Sequence, residues 1–331
     1  MKKIVIYISL WAGIFAVSCK KSTPEAPEGI PMSFGTAAVS RVGNLVDSEN
    51  INLAGNKLTV YDLYTTSGQS VLYMDATTPV TCDGSGNWTY SPLKYWTETG
   101  THAFTAYLSK QNGVTLDGTN YPTVTYYETM DALGISQWEI TPTSQFDFLY
   151  AWHSRNMETV ANPHAPVEFS LNHLLCAVQF NVVNLFDVNG TITVSDFKLS
   201  GLFNTQQATL SLSDGSVSYQ LDATTGTGEG EIARTGSASV SYNEAYNVFA
   251  GYGEVGSEGY LLMWPHDETA FKSLQVSFSQ GNMSRTLSLS AAETNHWRAG
   301  QKYTYNLYVK DDRINIQVEV RPWIIHDIDL E

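Results

Sequence analysis

The sequence predicts an all-β protein built from two antiparallel β-sandwich domains in series. Three observations predict this fold: apolar and polar residues alternate along many short segments, turn-forming residues separate those segments, and no long stretch has an apolar period of 3.6 residues. Strands repeating every 8–15 residues or so, with turns between them, are typical of antiparallel sandwiches. A chain of 331 residues is long enough for two domains that each bury a core.

The first segment has the layout of a secretory signal. Lys2 and Lys3 precede an apolar run over Ile4–Val17, and the small residue Ser18 and then Cys19 follow it. The apolar run is shorter than the roughly 20 residues that cross a bilayer as a helix. The sequence therefore predicts export rather than a membrane-spanning helix at this position.

Ala16-Val17-Ser18-Cys19 resembles the lipobox of bacterial lipoproteins, with Ala16 at the position where Leu is commoner. The resemblance implies that a signal peptide of residues 1–18 is removed between Ser18 and Cys19. It also implies that fatty acyl chains such as palmitate are attached to Cys19. Several chains anchor a protein stably because each buried methylene contributes about 0.8 kcal/mol. The alternative is an ordinary secretory signal that happens to end before a cysteine.

Residues 19–30 are predicted to form a flexible tether. Lys20–Gly29 contains two prolines and shows no apolar periodicity, so we expect no packed structure there. The tether would hold the folded part of the chain away from a membrane surface.

Charge and cysteine content exclude two classes of protein. The formal net charge is −15, so the chain repels the phosphate backbone and no nucleic-acid partner is expected. Besides Cys19, only Cys82 and Cys176 are present, and they fall in different predicted domains. We expect two free thiols and no disulfide framework, with Cys176 on the buried face of a strand.

The predicted domains cover residues 31–162 and 163–331. Their boundary lies at Asn162–Pro166, because its two prolines lack amide donors and cannot continue a helix or a central strand. A Gly- and Thr-rich stretch over Leu221–Gly230 is predicted to be a hairpin excursion inside the second domain. The clearest predicted strands are Lys57–Tyr64, His102–Leu108, Phe146–Trp152, Leu174–Val183, Thr191–Leu199, Tyr260–Trp264, Ser273–Ser279, Arg285–Leu289, Tyr303–Val309 and Arg313–Val320.

Five aromatic residues of the first predicted domain fall in recognisable strand segments. Trp88, Tyr90, Trp96, Phe104 and Tyr107 fall on alternating strand positions, which favours packing in a sandwich core. The alternative interpretation makes the aromatic residues a platform on which sugar rings stack.

Six phrases, in order along the chain, resemble the fimbrillin family, which comprises the type V fimbrial subunits and related surface lipoproteins of Bacteroidetes. The resemblance implies tandem sandwiches of transthyretin-like or immunoglobulin-like Greek-key type. The phrases are Ile30–Gly35 with Ser40-Arg41, Trp88–Trp96 with Ala103–Tyr107, Phe148–Ala151, Val167–Leu175, Trp297–Tyr305 and Val320–Trp323.

The resemblance implies assembly by strand exchange with other fimbrial subunits. In that family a protease removes an N-terminal strand, and the C-terminal segment of a neighbouring subunit fills the groove that is left. The matching displaced strand here is Pro31–Val39, with Arg41 as the candidate processing site. The candidate donor strand lies within Arg313–Leu330. Its alternating apolar residues are Ile314, Ile316, Val318 and Val320, which would equally suit a resident edge strand.

The resemblance also implies a lipid-anchored place in the outer membrane, at the cell surface or in a fimbrium, with a host protein or glycan as receptor. Lys20 and Lys21 occupy positions that are often acidic in surface-exported lipoproteins, so an inward-facing location stays open. No catalytic residues, metal site or cofactor are predicted, because the seven histidines lack ligand spacing and no nucleophile or phosphate-loop motif occurs. The alternative function is a surface glycan-binding lipoprotein that does not polymerise.

Overall fold

The structure is a computed structural model that describes residues 29–36, 51–116, 118–119, 121–138, 140–186, 190–203, 206–213, 216–222, 229–265, 271–290, 296–310 and 313–323. The predicted signal peptide with Ser18 and Cys19, nearly all of the tether, and Arg41 lie outside these residues. Among the described residues, no helix is both long and apolar enough to cross a membrane.

The described chain is almost entirely β-structure, which confirms the all-β prediction. Its only regular helix within these ranges is one 3-10 turn, Glu128–Met130. The strands are β1 Phe34–Thr36, β2 Lys57–Thr66, β3 Gln69–Met74, β4 Val80–Cys82, β5 Trp88–Thr89, β6 Thr101–Gln111, β7 Val114–Thr115, β8 Val124–Tyr127, β9 Ala132–Trp138, β10 Leu149–Asn156, β11 Val167–Phe169, β12 Asn172–His173, β13 Cys176–Asn184, β14 Thr191–Phe203, β15 Gln206–Ser213, β16 Ser216–Asp222, β17 Glu229–Ser241, β18 Ala245–Asn247, β19 Leu261–Met263, β20 Ser273–Gln280, β21 Met283–Ser290, β22 Gln301–Val309 and β23 Ile314–Pro322.

A ten-stranded sheet forms the N-terminal half. Its main path is β11-β1-β5-β4-β2-β6-β10-β12, with β3 paired to β2 and β7 to β6. The ring centroids of Phe34 in β1 and Phe104 in β6 are 5.9 Å apart, although three strands separate β1 from β6 in the sheet. The sheet therefore curls around a core that gathers side chains from strands far apart in its order.

Two sheets face each other in the C-terminal half. One has the order β18-β13-β22-β23, with β19 also paired to β13, and the other has the order β17-β14-β20-β21. Phe180 of β13 lies 5.0 Å from Phe197 of β14, measured between ring centroids, so the inner faces share one core. Two sheets that share a core in this way form a β-sandwich.

A fourth sheet joins the two halves. Its order is β16-β15-β9-β8, so a hairpin from the C-terminal half pairs with a hairpin from the N-terminal half. A third core cluster fills the space between the halves. Within it, the Trp264 indole donates to the Trp138 carbonyl at 3.0 Å.

Most of the predicted hairpin excursion at Leu221–Gly230, residues 223–228, lies outside the described residues, so it stays a prediction. A hairpin that is described, β15–β16, ends at Asp222, and the described residues resume in β17 at Glu229. The hairpin pairs with β9 and leaves the two C-terminal sheets, because β9 offers it a further partner strand. Strands also pair across residues 162 and 163 through β11 and β12, so the domain limits stay a prediction.

Two of the pairings between described strands are parallel, β1 with β11 and β13 with β22, whereas the sequence led us to expect antiparallel sheets. The strands of each parallel pair are far apart in the sequence, as parallel pairing requires a crossover connection.

The aromatic and cysteine predictions are confirmed. Trp88, Trp96, Phe104 and Tyr107 are buried, and Tyr90 packs half-buried against the same core. Cys82 and Cys176 are buried free thiols in different core clusters. Burial raises the pKa of the Cys176 thiol, which holds it in the neutral form.

We expect the Leu210→Ala substitution in β15 to lower the free energy of unfolding by about 2–5 kcal/mol, because Leu210 is fully buried in the cluster between the halves. Urea titration followed by tryptophan fluorescence measures this. Leu53→Ala, at a half-exposed leucine, is the matched control and should change stability by no more than about 0.5 kcal/mol. Equal effects of the two substitutions would contradict the packing of the β15–β16 hairpin.

Candidate functional site: the N-terminal strand and its neighbours

The N-terminal strand β1 is inserted between two strands that are remote from it in the sequence. Phe34 is paired with Trp88 of the antiparallel strand β5 and with Val167 of the parallel strand β11. The β1–β11 ladder continues through Gly35 with Glu168 and Thr36 with Phe169. Among the described strands β11 pairs with β1 alone, so β1 connects β11 to the rest of the sheet.

The residues just before β1 extend this attachment. The amide of Met32 donates to the Lys94 carbonyl at 2.9 Å, and the amide of Trp96 donates to the Ile30 carbonyl at 3.0 Å. The Tyr90 hydroxyl donates to the Met32 carbonyl at 3.0 Å. On the other side, the Val167 amide donates to the Ser33 carbonyl at 2.8 Å. The segment from residue 30 to residue 36 is thus bonded along both edges.

Met32 and Phe34 point into the core, while Ser33 between them is exposed. This is the period-two alternation of a strand with one buried face. The Phe34 ring has three aromatic neighbours. It stacks on Phe169 with 5.8 Å between ring centroids, meets Phe104 edge-on at 5.9 Å and lies tilted against Tyr90 at 5.3 Å. Such pairs add about 0.5–1.5 kcal/mol each beyond the burial of area.

Arg155 of β10 holds the connection that leads into β11. Its guanidinium donates to the carbonyls of Pro163, Ala165 and Pro166, and it lies over the Trp96 ring with 4.7 Å to the ring centroid. Burial lowers the pKa of Arg155 from its ordinary value. The predicted boundary segment is therefore tied to the N-terminal half, and this places β11 beside β1.

The predicted displaced strand, Pro31–Val39, is only partly described. Residues 31–36 lie in the place given above, with an isolated bridge between Pro31 and Tyr95, and residues 37–39 are outside the described residues. Arg41 follows on the C-terminal side of β1 and is also outside them. The signal cleavage site at Ser18 and Cys19 and the lipidation of Cys19 stay predictions for the same reason.

The candidate donor residues lie together in β23, a strand at the edge of its sheet. β23 pairs with β22 over its full length, from Ile314 with Val309 to Pro322 with Gln301. Ile314 is buried, Ile316 and Val318 are half-buried against the C-terminal core, and Val320 is 53% exposed. In this structure β23 is a resident edge strand, one of the two roles that the sequence left open.

Trp323 fixes the end of β23 to the N-terminal half. Its ring stacks on His173 of β12 with 3.6 Å between ring centroids, and its amide donates to the Gly300 carbonyl at 2.7 Å. Gly300 has a φ of +67°, so a glycine suits the turn before β22, as the sequence indicated. β12 pairs with β10, so this one contact links the C-terminal edge strand to the first sheet.

Two buried His–Asp pairs were missed by the sequence analysis. His102 Nδ1 lies 2.7 Å from Asp62 Oδ2, and His173 Nδ1 lies 2.9 Å from Asp147 Oδ1. Burial raises the pKa of the Asp62 carboxyl, and its hydrogen bond with His102 opposes that shift. All four side chains are buried, so these pairs are parts of the core. Among the described residues, no group of three metal-ligating side chains occurs.

The residues that position β1 on its β11 side were missed as well. Phe169 and Glu168 of β11 lie in a phrase that the sequence analysis recognised, but nothing local showed that this phrase pairs with Phe34. The available signal was that each segment has an apolar residue followed two positions later by a phenylalanine, namely Met32 and Phe34 in one and Val167 and Phe169 in the other. It indicates two buried faces without indicating that they meet.

A sequence profile of the family described as fimbrillin-like matches residues 46–323 of the chain. The fold is similar to the crystal structure of a fimbrial protein from Bacteroides vulgatus, with a TM-score of 0.56, 16% identity, and coverage of 81% of this chain and 93% of that one. It is also similar to the tip fimbrial protein Mfa3 from Porphyromonas gingivalis with C-terminal truncation, with a TM-score of 0.40, 10% identity, and coverage of 89% and 99%. No curated protein sequence matches the chain.

We expect the Phe34→Ala substitution to lower the free energy of unfolding by about 3 kcal/mol or more, because it empties the space between three aromatic rings. Urea titration of the chain from residue 20 onward measures this. The control is Val320→Ala, at the exposed end of β23, which should cost no more than about 0.5 kcal/mol. A Phe34 variant as stable as the control would contradict the packing of β1.

We expect the Trp323→Ala substitution to speed hydrogen exchange of the β23 amides by about tenfold or more, since it removes the ring stacked on His173. Mass spectrometry of exchanged peptides measures this, and β21 amides should be unaffected. Tyr308→Phe, which removes only an exposed hydrogen bond to Gln317, is the control. Unchanged exchange in β23 would show that Trp323 does not hold this strand.

Proposed function

The chain belongs to the fimbrillin-like family, and we propose that it is a fimbrial subunit assembled by strand exchange with other subunits. In this proposal it is exported, anchored to the outer membrane by lipid on Cys19, and activated by cleavage after Arg41. Its location is the cell surface or a fimbrium, and its role is structural or adhesive rather than catalytic. The observation that supports it most is the placement of β1 between β11 and β5.

Removal of β1 would leave an acceptor for another strand. The backbone groups of β11 and β5 that now pair with β1 would lose their partners, and the space around Phe34 would open to water. An edge of this kind binds an extended peptide through main-chain hydrogen bonds and pockets for alternate side chains. The strand and the groove thus have the properties that the proposed assembly needs.

Cleavage after Arg41 would act through effective concentration. While β1 is covalently joined to the residues that follow it, a competing strand faces an intramolecular competitor at an effective concentration on the order of millimolar. After cleavage, the short segment is held by its own contacts alone, so a longer strand that makes more contacts can displace it. The reaction needs no energy source beyond the difference in binding free energy.

The alternative of a glycan-binding lipoprotein receives no support from the tryptophans. The seven that the structure describes are all buried or half-buried, so they offer no exposed flat face for a sugar ring. The tryptophans therefore support core packing, whereas Tyr127 and Tyr242 are exposed at 40% and 38%. A host protein or glycan receptor belongs to the adhesive role proposed above.

The proposal predicts that limited trypsin treatment of the lipidated precursor cuts after Arg41, and that the cut chain then takes up a fluorescent peptide with the sequence of residues 29–41. The uncut chain should take up none, because its own β1 occupies the site. Mass spectrometry of the products and fluorescence on native gels measure both steps.

The Arg41→Ala variant should resist this cut and exclude the peptide. Arg298→Ala, which removes an exposed arginine far along the chain, is the control and should behave as the unaltered chain. A cut chain that keeps its N-terminal fragment and takes up no peptide would disprove strand exchange.

A further inference from the structure

The place that β1 occupies has a definite side-chain specificity, and this inference rests on the proposed function. We propose that this place accepts a strand from a different subunit that carries an aromatic residue two positions after an apolar one. The β23 strand of a second copy of this chain does not fit the site. The assembly contact would then join unlike subunits.

The first reason is the shape of the space around Phe34. Its walls are the rings of Phe169, Phe104 and Tyr90, one stacked on the Phe34 ring, one edge-on and one tilted. A flat ring fills a space between aromatic walls that a branched aliphatic side chain would leave partly empty. Two positions earlier, Met32 is buried in the same core, so the site takes an apolar residue followed by an aromatic one.

The second reason is the residue pattern of β23. Its apolar residues at alternate positions are all branched aliphatic side chains, namely Ile314, Ile316, Val318 and Val320, of which the first three pack against the C-terminal core. In a register that carries these residues inward, a valine or isoleucine stands at the Phe34 position. β23 therefore supplies main-chain pairing without the ring that the site fits.

Trp323 does not remedy this mismatch. It lies an odd number of positions from the alternating row, so bringing it to the Phe34 position turns that row away from the core. The same register puts Arg321 at the buried Met32 position, where a charge would lose its hydration. None of the residues from 324 to 331 is Phe, Tyr or Trp.

Glu168 adds a preference at the next position. It is the cross-strand partner of Gly35, and a Cβ atom at Gly35 would lie 2.5 Å and 2.7 Å from its two carboxylate oxygens. A glycine leaves this carboxylate in place, a basic residue would pair with it, and an acidic residue would be repelled. β23 would bring Glu319 against Glu168 with Val318 at the Phe34 position, and Arg321 against it with Val320 there. Glu168 therefore selects among registers, and the aromatic position decides against β23.

Competition among peptides tests the inference on a cut full-length chain. The chain from residue 20 onward carries a specific protease site introduced between residues 37 and 50, so cleavage does not depend on Arg41. The first peptide has the sequence of residues 29–39, and the second is the same peptide with Phe34→Val. The third has the sequence of residues 313–323, and the fourth is the third with Val320→Phe, which places an aromatic residue two positions after Val318.

We expect the first peptide to bind about tenfold or more tightly than the second. The third should bind as weakly as the second, and the Val320→Phe change should strengthen it by about tenfold or more. The receptor is the same folded chain throughout, so misfolding of a variant does not enter the comparison. Fluorescence polarisation gives the four dissociation constants.

Equal binding of all four peptides would overturn the aromatic preference while leaving strand exchange intact. Tightest binding of the third peptide, or a ladder of oligomers from the cut chain alone on native gels, would assign the site to a second copy and also overturn the inference. If the first peptide does not bind at all, strand exchange itself fails. The two failures are therefore distinguishable.

Discussion

The packing of one side chain, Phe34, is the interaction on which the N-terminal half depends. Its backbone joins β5, near residue 88, to β11, near residue 167, and its ring contacts Phe169 and Phe104 from different parts of the sheet. The Phe34 ring fills the space where these distant strands meet, and its aromatic contacts stabilise that meeting. Arg155 supports this arrangement because its guanidinium donates to the carbonyls of Pro163 and Pro166, in the segment that leads into β11. The three-residue strand β1 thereby connects strands that are far apart in the sequence.

The buried faces of the strands could be predicted from the sequence because alternation records them directly. The predicted segments at Lys57–Tyr64, Thr191–Leu199 and Tyr303–Val309 all fall within observed strands, and Trp88 and Phe104 are buried as expected. Burial at these positions is set within a few residues, so a local pattern carries it. The free state of Cys82 and Cys176 was expected on other grounds, because the two residues fall in different predicted domains.

The partners of the strands could not be predicted in the same way. Alternation shows that Val167–Phe169 has a buried face, but its parallel partner β1 lies more than a hundred residues earlier. The same holds for the β15–β16 hairpin, which pairs with β9 of the other half, and for Asp62, which meets His102 across neighbouring strands. Register between distant segments is decided by the packing of whole faces, and a single sequence does not display it. The candidate site was therefore predicted as two separate segments, and its assembly became visible only in the fold.

The orientation of β1 has a mechanical consequence. Residues 30–33 continue β1 at its N-terminal end and bond to its neighbours, so tension applied there along the strand axis would act on both sides of the strand. Hydrogen bonds in a ladder lie across the axis, which means that such tension shears the bonds to β5 and β11 together instead of peeling them one after another. A protein pulled from this end would resist load through a strand of only three residues, and the bulk of Phe34 between its aromatic neighbours would act as a stop against sliding.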